Sequence, residues 1–192
     1  MGCEVSTSHG VVQVVQEDEE DTGEFSDTLI DTIRSTWPLL SRDYVTVGLE
    51  VFKRIFNEIP TVRVLFDSFG IDQAETLERH QIFREHVQKF MHVLESLVEN
   101  LERPEMIQPH LIALGARHAA IVGFHPEYFR FYSKCLLEVW EAELGEEFIP
   151  EVRECWEKVI EYIVRSMSHG YHICITHQLE HFVKETQIGK LV

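Results

Sequence analysis

From Asp27 onward the apolar residues recur at intervals of three and four, and no stretch alternates apolar with polar as a half-buried strand would. That periodicity predicts an all-α domain. Gly48, Val51, Phe52, Ile55, Phe56 and Ile59 form one stripe, and Pro60 cannot continue their helix without losing a hydrogen bond, so a corner is predicted at 59–60. A short segment with Leu65, Phe66 and Phe69 follows. The stripe Phe83, His86, Val87, Phe90, Leu94 and Leu97 then predicts a long helix ended by Arg103-Pro104.

Ile107, Leu111, Leu114 and His118 are spaced by four, three and four residues, which puts them on one helical face. Gly123-Phe124-His125-Pro126 breaks that pattern. A further helix carries Phe129, Tyr132, Leu136, Val139 and Trp140 and is expected to close at Gly145. The last runs from about Phe148 through Trp156, Ile163 and Met167, with Gly170 expected to weaken or end it. The domain is therefore placed at residues 27–170, with 171–192 as a C-terminal extension.

Residues 1–26 obey a different pattern. The run Glu17-Asp18-Glu19-Glu20-Asp21 repels itself, and Val11, Val12, Val14 and Val15 have no partner strand, so this segment is expected to be a flexible arm.

Two histidines change the picture. A lone histidine on an apolar helical face is ordinarily a core residue bonded to a neighbour. Here His86 and His118 lie on different helices, both facing inward among Phe83, Phe90, Leu111 and Leu114. An apolar slot with imidazole on both sides suits a flat apolar cofactor such as haem better than a hydrated metal ion. His80 and His92 fall off the stripe. His169, His172, Cys174, His177 and His181 cluster near the C-terminus, but their spacing matches no closed tetrahedral zinc set, and structural or incidental use is the better reading.

Composition sets limits. The 17 Lys and Arg against 33 Asp and Glu give a net charge of −16, which opposes binding to nucleic acid and gives no electrostatic help toward anionic lipid. Cys3, Cys135, Cys155 and Cys174 show no paired spacing, and Cys135 and Cys155 read as core residues. No apolar run is long enough to span a membrane, and no secretory signal is recognisable. No nucleophile motif, phosphate loop or metalloprotease spacing supports a hydrolase or transferase.

Met1-Gly2-Cys3-Glu4-Val5-Ser6 fits an N-myristoylation pattern on Gly2, and Cys3 beside it offers an S-palmitoylation site. One acyl chain binds membranes only marginally, so the second makes the pattern physically coherent. Attachment to membrane lipid at the cytosolic face of the cell membrane follows; without acylation the expected compartment is the cytoplasm.

The Trp37 helix, Gly48 before Val51-Phe52, the Pro60 corner, LFDSF at 65–69, His86 and LGARHAA at 114–120 occur together in an order that resembles animal globins over about residues 27–170. With the acylated start, the chain resembles the membrane-associated, neuroglobin-like globin X group. The resemblance implies a globin fold holding haem b. It further implies His118 as the proximal iron ligand, His86 as the distal one, Phe66 packed against the porphyrin, and Lys89 near a propionate. Phe90 stands where many vertebrate globins have valine, so it should crowd the distal side. O2, NO, CO or nitrite are the implied small ligands, bis-histidine coordination the implied resting state, and haem redox chemistry, such as nitrite reduction or electron transfer with a reductase, the implied activity. A different reading, a membrane-tethered interaction protein on a haem-free globin fold, would keep the helices without needing both histidines.

Overall fold

In the computed structural model, which describes residues 24–66 and 79–188, each helix begins and ends for a local reason. The Ser26 hydroxyl accepts from the backbone N–H of Leu29 and opens α1 (Asp27–Leu40). Asp43 does the same for α2 (Tyr44–Glu58) through the N–H of Thr46. Ile59 closes α2, and Pro60, with no N–H to satisfy, occupies the first turn of α3 (Pro60–Val64), so the expected corner falls where the proline demands it.

Helix α4 spans Gln81–Glu99 and stops at Asn100, before the expected Arg103-Pro104. Pro104 instead begins a single 3₁₀ turn, Pro104–Met106, that leads into α5 (Gln108–Ala119). After the Gly123–Pro126 break comes α6 (Glu127–Leu144). Gly145 ends it at φ 53°, a left-handed conformation that L side chains rarely adopt.

The final helix, α7 (Pro150–Ile188), departs from expectation. It starts at Pro150 rather than Phe148 and passes through Gly170 without a break, so the boundary placed at 170 lies inside one helix. Gly170 has another use. A Cβ there would lie 1.9 Å from the carbonyl oxygen of Ile112, and one on Gly115 would lie 1.8 Å from that of Met167. The two glycines let α5 and α7 cross backbone against backbone.

The core is built from the predicted stripes. Val51, Phe83, Val87, Leu97, Leu111, Leu136, Trp140 and Trp156 are buried. Trp156 packs on Trp140 at 4.6 Å between ring centroids, and its indole N–H donates to the hydroxyl of Thr36 at 3.0 Å. Cys135 is buried and Cys155 half-buried, both as free thiols. Burial, with Glu58 and Glu138 nearby, pushes the Cys135 thiol up to about 11. The start of α1 is tied to α7 by the Glu24–Arg165 ion pair and by Phe25 against Tyr162. Among the described residues no helix is long and apolar enough to cross a membrane.

Candidate functional site

His118 lies in the last turn of α5, on the face that Leu111 begins. Its Nδ1 is 2.8 Å from the carbonyl oxygen of Leu114, and since a carbonyl can only accept, Nδ1 carries the proton. Nε2 is thereby left with a free lone pair, the arrangement that orients a metal-bound imidazole and raises its basicity. The rings of Phe124 and Phe129, in contact with each other at 5.0 Å, pack on the imidazole at 5.0 and 5.3 Å. Phe124 is fixed in turn, because its carbonyl accepts from the Tyr171 hydroxyl at 3.0 Å.

His86 lies on the inward face of α4. Phe52 and Phe66 meet its ring edge to face, at 5.5 and 5.4 Å. Its pKa falls to about 4, first because burial disfavours the charged form, then because His118 and Lys89 would each place a like charge near it. The second cause is informative: a charge on His118 would be felt at His86. Burial also lowers the His118 pKa, with Arg117 adding to it and the bond to Leu114 working against it. At neutral pH both rings are neutral, which is the form that binds a metal.

The structure brings Phe66 to His86, and Leu114 to His118 through its carbonyl rather than its side chain. Phe66 packs on the His86 ring, as well as on Phe52, Phe56 and Phe83. Phe90 is half-buried and packs on Tyr132 at 4.1 Å. Lys89 is exposed beside His86. His80 begins α4 and His92 lies at the surface against Glu95, both off the site. Gly2, Cys3, the acidic run, Phe69 and the side chain of His181 lie outside the described residues. Among the described residues no group of three His, Cys, Asp or Glu side chains is placed to hold a metal ion.

Sequence reasoning assigned no site role to Phe52, Phe124, Phe129 or Tyr132. All four had appeared in helical stripes or at the chain break. Only tertiary packing, however, brings these rings to the imidazoles. The Leu114 carbonyl was readable in principle, since it lies one turn before His118 on the same helix.

The chemistry of the donor set fits haem. Two neutral imidazoles come from two different helices, one with its tautomer fixed by a backbone bond, and the rings packed on each are aromatic. Comparison with known proteins points the same way. The family model described as Globin matches residues 49–167. Cytoglobin-2 of Danio rerio is 30% identical over 162 residues, covering 81% of this chain and 90% of that protein. Neuroglobin of Tetraodon nigroviridis is 29% identical over 140 residues, covering 72% and 87%. Among solved structures, a protein described as a hexacoordinated haem protein from an anhydrobiotic tardigrade superposes with a TM-score of 0.69. It is 20% identical and covers 77% of this chain and 96% of the other.

Proposed function

The chain belongs to the globin family and is a haem-binding globin, and from that premise we propose that His118 on α5 and His86 on α4 are the residues that would hold haem b through its iron. The observation that carries this reading is the pair itself: two neutral imidazoles on different helices, with a charge on His118 felt at His86. His118 Nε2 is the permanent ligand, kept in register by Leu114, Phe124 and Phe129. His86 is the exchangeable one. Phe66 and Phe90 supply apolar walls, and Lys89 on the exposed side of α4 is suited to meet a propionate.

The tardigrade protein is described as hexacoordinated, which favours the same state here. Small ligands, O2, NO or CO, then compete with His86. If the five-coordinate form were about 1% of the population, apparent affinity would fall about 100-fold, which disfavours O2 storage and favours redox chemistry. A bound ferrous haem would supply one electron, enough with two protons to convert nitrite to NO and water, and a reductase would restore it.

Residues 1–26 are assigned as the tether, with Gly2 myristoylated and Cys3 palmitoylated, carrying the globin domain on the cytosolic face of a membrane. With a net charge of −16 the acyl chains must supply the attachment. Purified full chain is expected to show a Soret band that His118→Ala removes or greatly weakens. A haem-free purified protein would return the alternative, an interaction protein on a globin fold. Gly2→Ala is expected to move the protein from the membrane to the soluble fraction; unchanged fractionation would remove the tether.

A further inference from the structure

The hydroxyl of Tyr132 is buried and has no hydrogen-bond partner among the described residues. Tyr132 stands on α6, and its ring packs on Phe90 at 4.1 Å and on Phe52 at 6.0 Å. Phe90 is one turn beyond His86 on α4, and Phe52 of α2 lies against the His86 ring. The phenol thus packs with the rings on the His86 side. A phenylalanine would pack there equally well. A buried hydroxyl without a partner forfeits the hydrogen bonds it made to water, so its presence calls for a use. Burial, and secondarily the nearby Cys135, raises its pKa well above the ordinary phenol value, so it remains a donor throughout the physiological range.

We infer that Tyr132 donates a hydrogen bond to a small ligand that takes the place of His86, favouring ligands with an acceptor oxygen, dioxygen or nitrite, over carbon monoxide, which accepts weakly. While His86 holds the position, the phenol has nothing to donate to. When the imidazole leaves, the outer atom of the incoming ligand becomes its partner. This rests on the haem site proposed above.

The test uses the haem-loaded full chain with His86→Leu, which removes the only other donor in the argument. Adding Tyr132→Phe is expected to weaken O2 binding about 3- to 10-fold, the range for one neutral hydrogen bond, while CO affinity stays within about twofold. The C–O stretching band should move to higher wavenumber, because a donor at the ligand's outer atom draws electron density into the antibonding orbital. An unchanged O2-to-CO ratio with an unmoved band would overturn the inference. Should the double variant fail to load haem, the Fe–O2 vibration of the His86→Leu protein is compared in H2O and D2O. A shift is expected, and none would overturn the inference. In the haem-free chain Tyr132→Phe should melt at the same or a higher temperature, and a lower Tm would show that the hydroxyl already has a protein partner. A His86→Leu protein with a five-coordinate ferrous spectrum but no effect of residue 132 removes this inference alone, whereas a wild-type chain without a Soret band removes the haem site as well.

Discussion

His118 is anchored by a hydrogen bond to Leu114, by two rings, and by a helix whose backbone lies directly on α7, whereas His86 is held among the described residues by ring contacts without a hydrogen bond. The difference is one of mobility. A directional bond at Nδ1 fixes the torsion of the His118 ring, while edge-to-face packing keeps His86 in place but lets it turn. On the proposed function, a haem ligand that stays and one that yields to a small ligand would call for these two kinds of support.

The comparison breaks first at the glycines. A methyl group on Gly115 or Gly170 meets carbonyl oxygens of the facing helix, which cannot move without separating α5 from α7. Gly48, on the His86 side, is also crowded, but its added Cβ would meet the Val87 Cγ1 at 2.4 Å, the end of a side chain. Gly115→Ala and Gly170→Ala are expected to cost about 3 kcal/mol or more and to speed haem loss. Gly48→Ala should cost about 1 to 2 kcal/mol with a smaller effect on haem. Urea unfolding of the haem-free chain and haem transfer to a scavenger measure both; the reverse order would contradict the account.

The second prediction is pH-dependent. The His86 pKa is depressed in the fold to about 4 from an unfolded value of 6.5, so the unfolded chain binds more protons between those values. Stability of the haem-free protein from this group is complete above pH 6.5 and is lost as pH falls toward 4, by at most about 3 kcal/mol. His86→Leu should flatten that part of the profile, leaving the weaker contribution of His118. An unaltered slope would mean that His86 is not buried as described.

The smallest effect concerns the support behind His118. Tyr171→Phe removes the hydrogen bond to the Phe124 carbonyl and is expected to cost about 1 kcal/mol, with a modest rise in haem loss and no change in ligand binding on the His86 side. Altered CO kinetics of equal size would show that the two sides are not independent.

The helical faces that carry the two histidines could be anticipated from spacing, because a helical face is a local property. The intervals from Ile107 to His118, the stripe through His86 and Phe90, and the stop at Pro60 each depend on residues within a few turns. Gly170 was misread for the same reason. Locally a glycine weakens a helix, and only the facing backbone of Ile112 reveals that its missing side chain is what the crossing requires. Phe124 and Phe129, likewise, lie on or near α6, and nothing in their own segment shows that their rings pack on an imidazole of α5. Phe90 was expected to crowd the distal side; its ring is found against Tyr132, a contact between helices that no spacing rule supplies.

The absorption spectrum of the reduced, ligand-free full chain bears most directly on the central claim. If His118 and His86 both ligate the iron, that spectrum is low-spin and six-coordinate, and His86→Leu converts it to high-spin and five-coordinate with faster CO binding. A wild-type spectrum already high-spin and five-coordinate would contradict the account and leave His86 beside the iron without a bond to it.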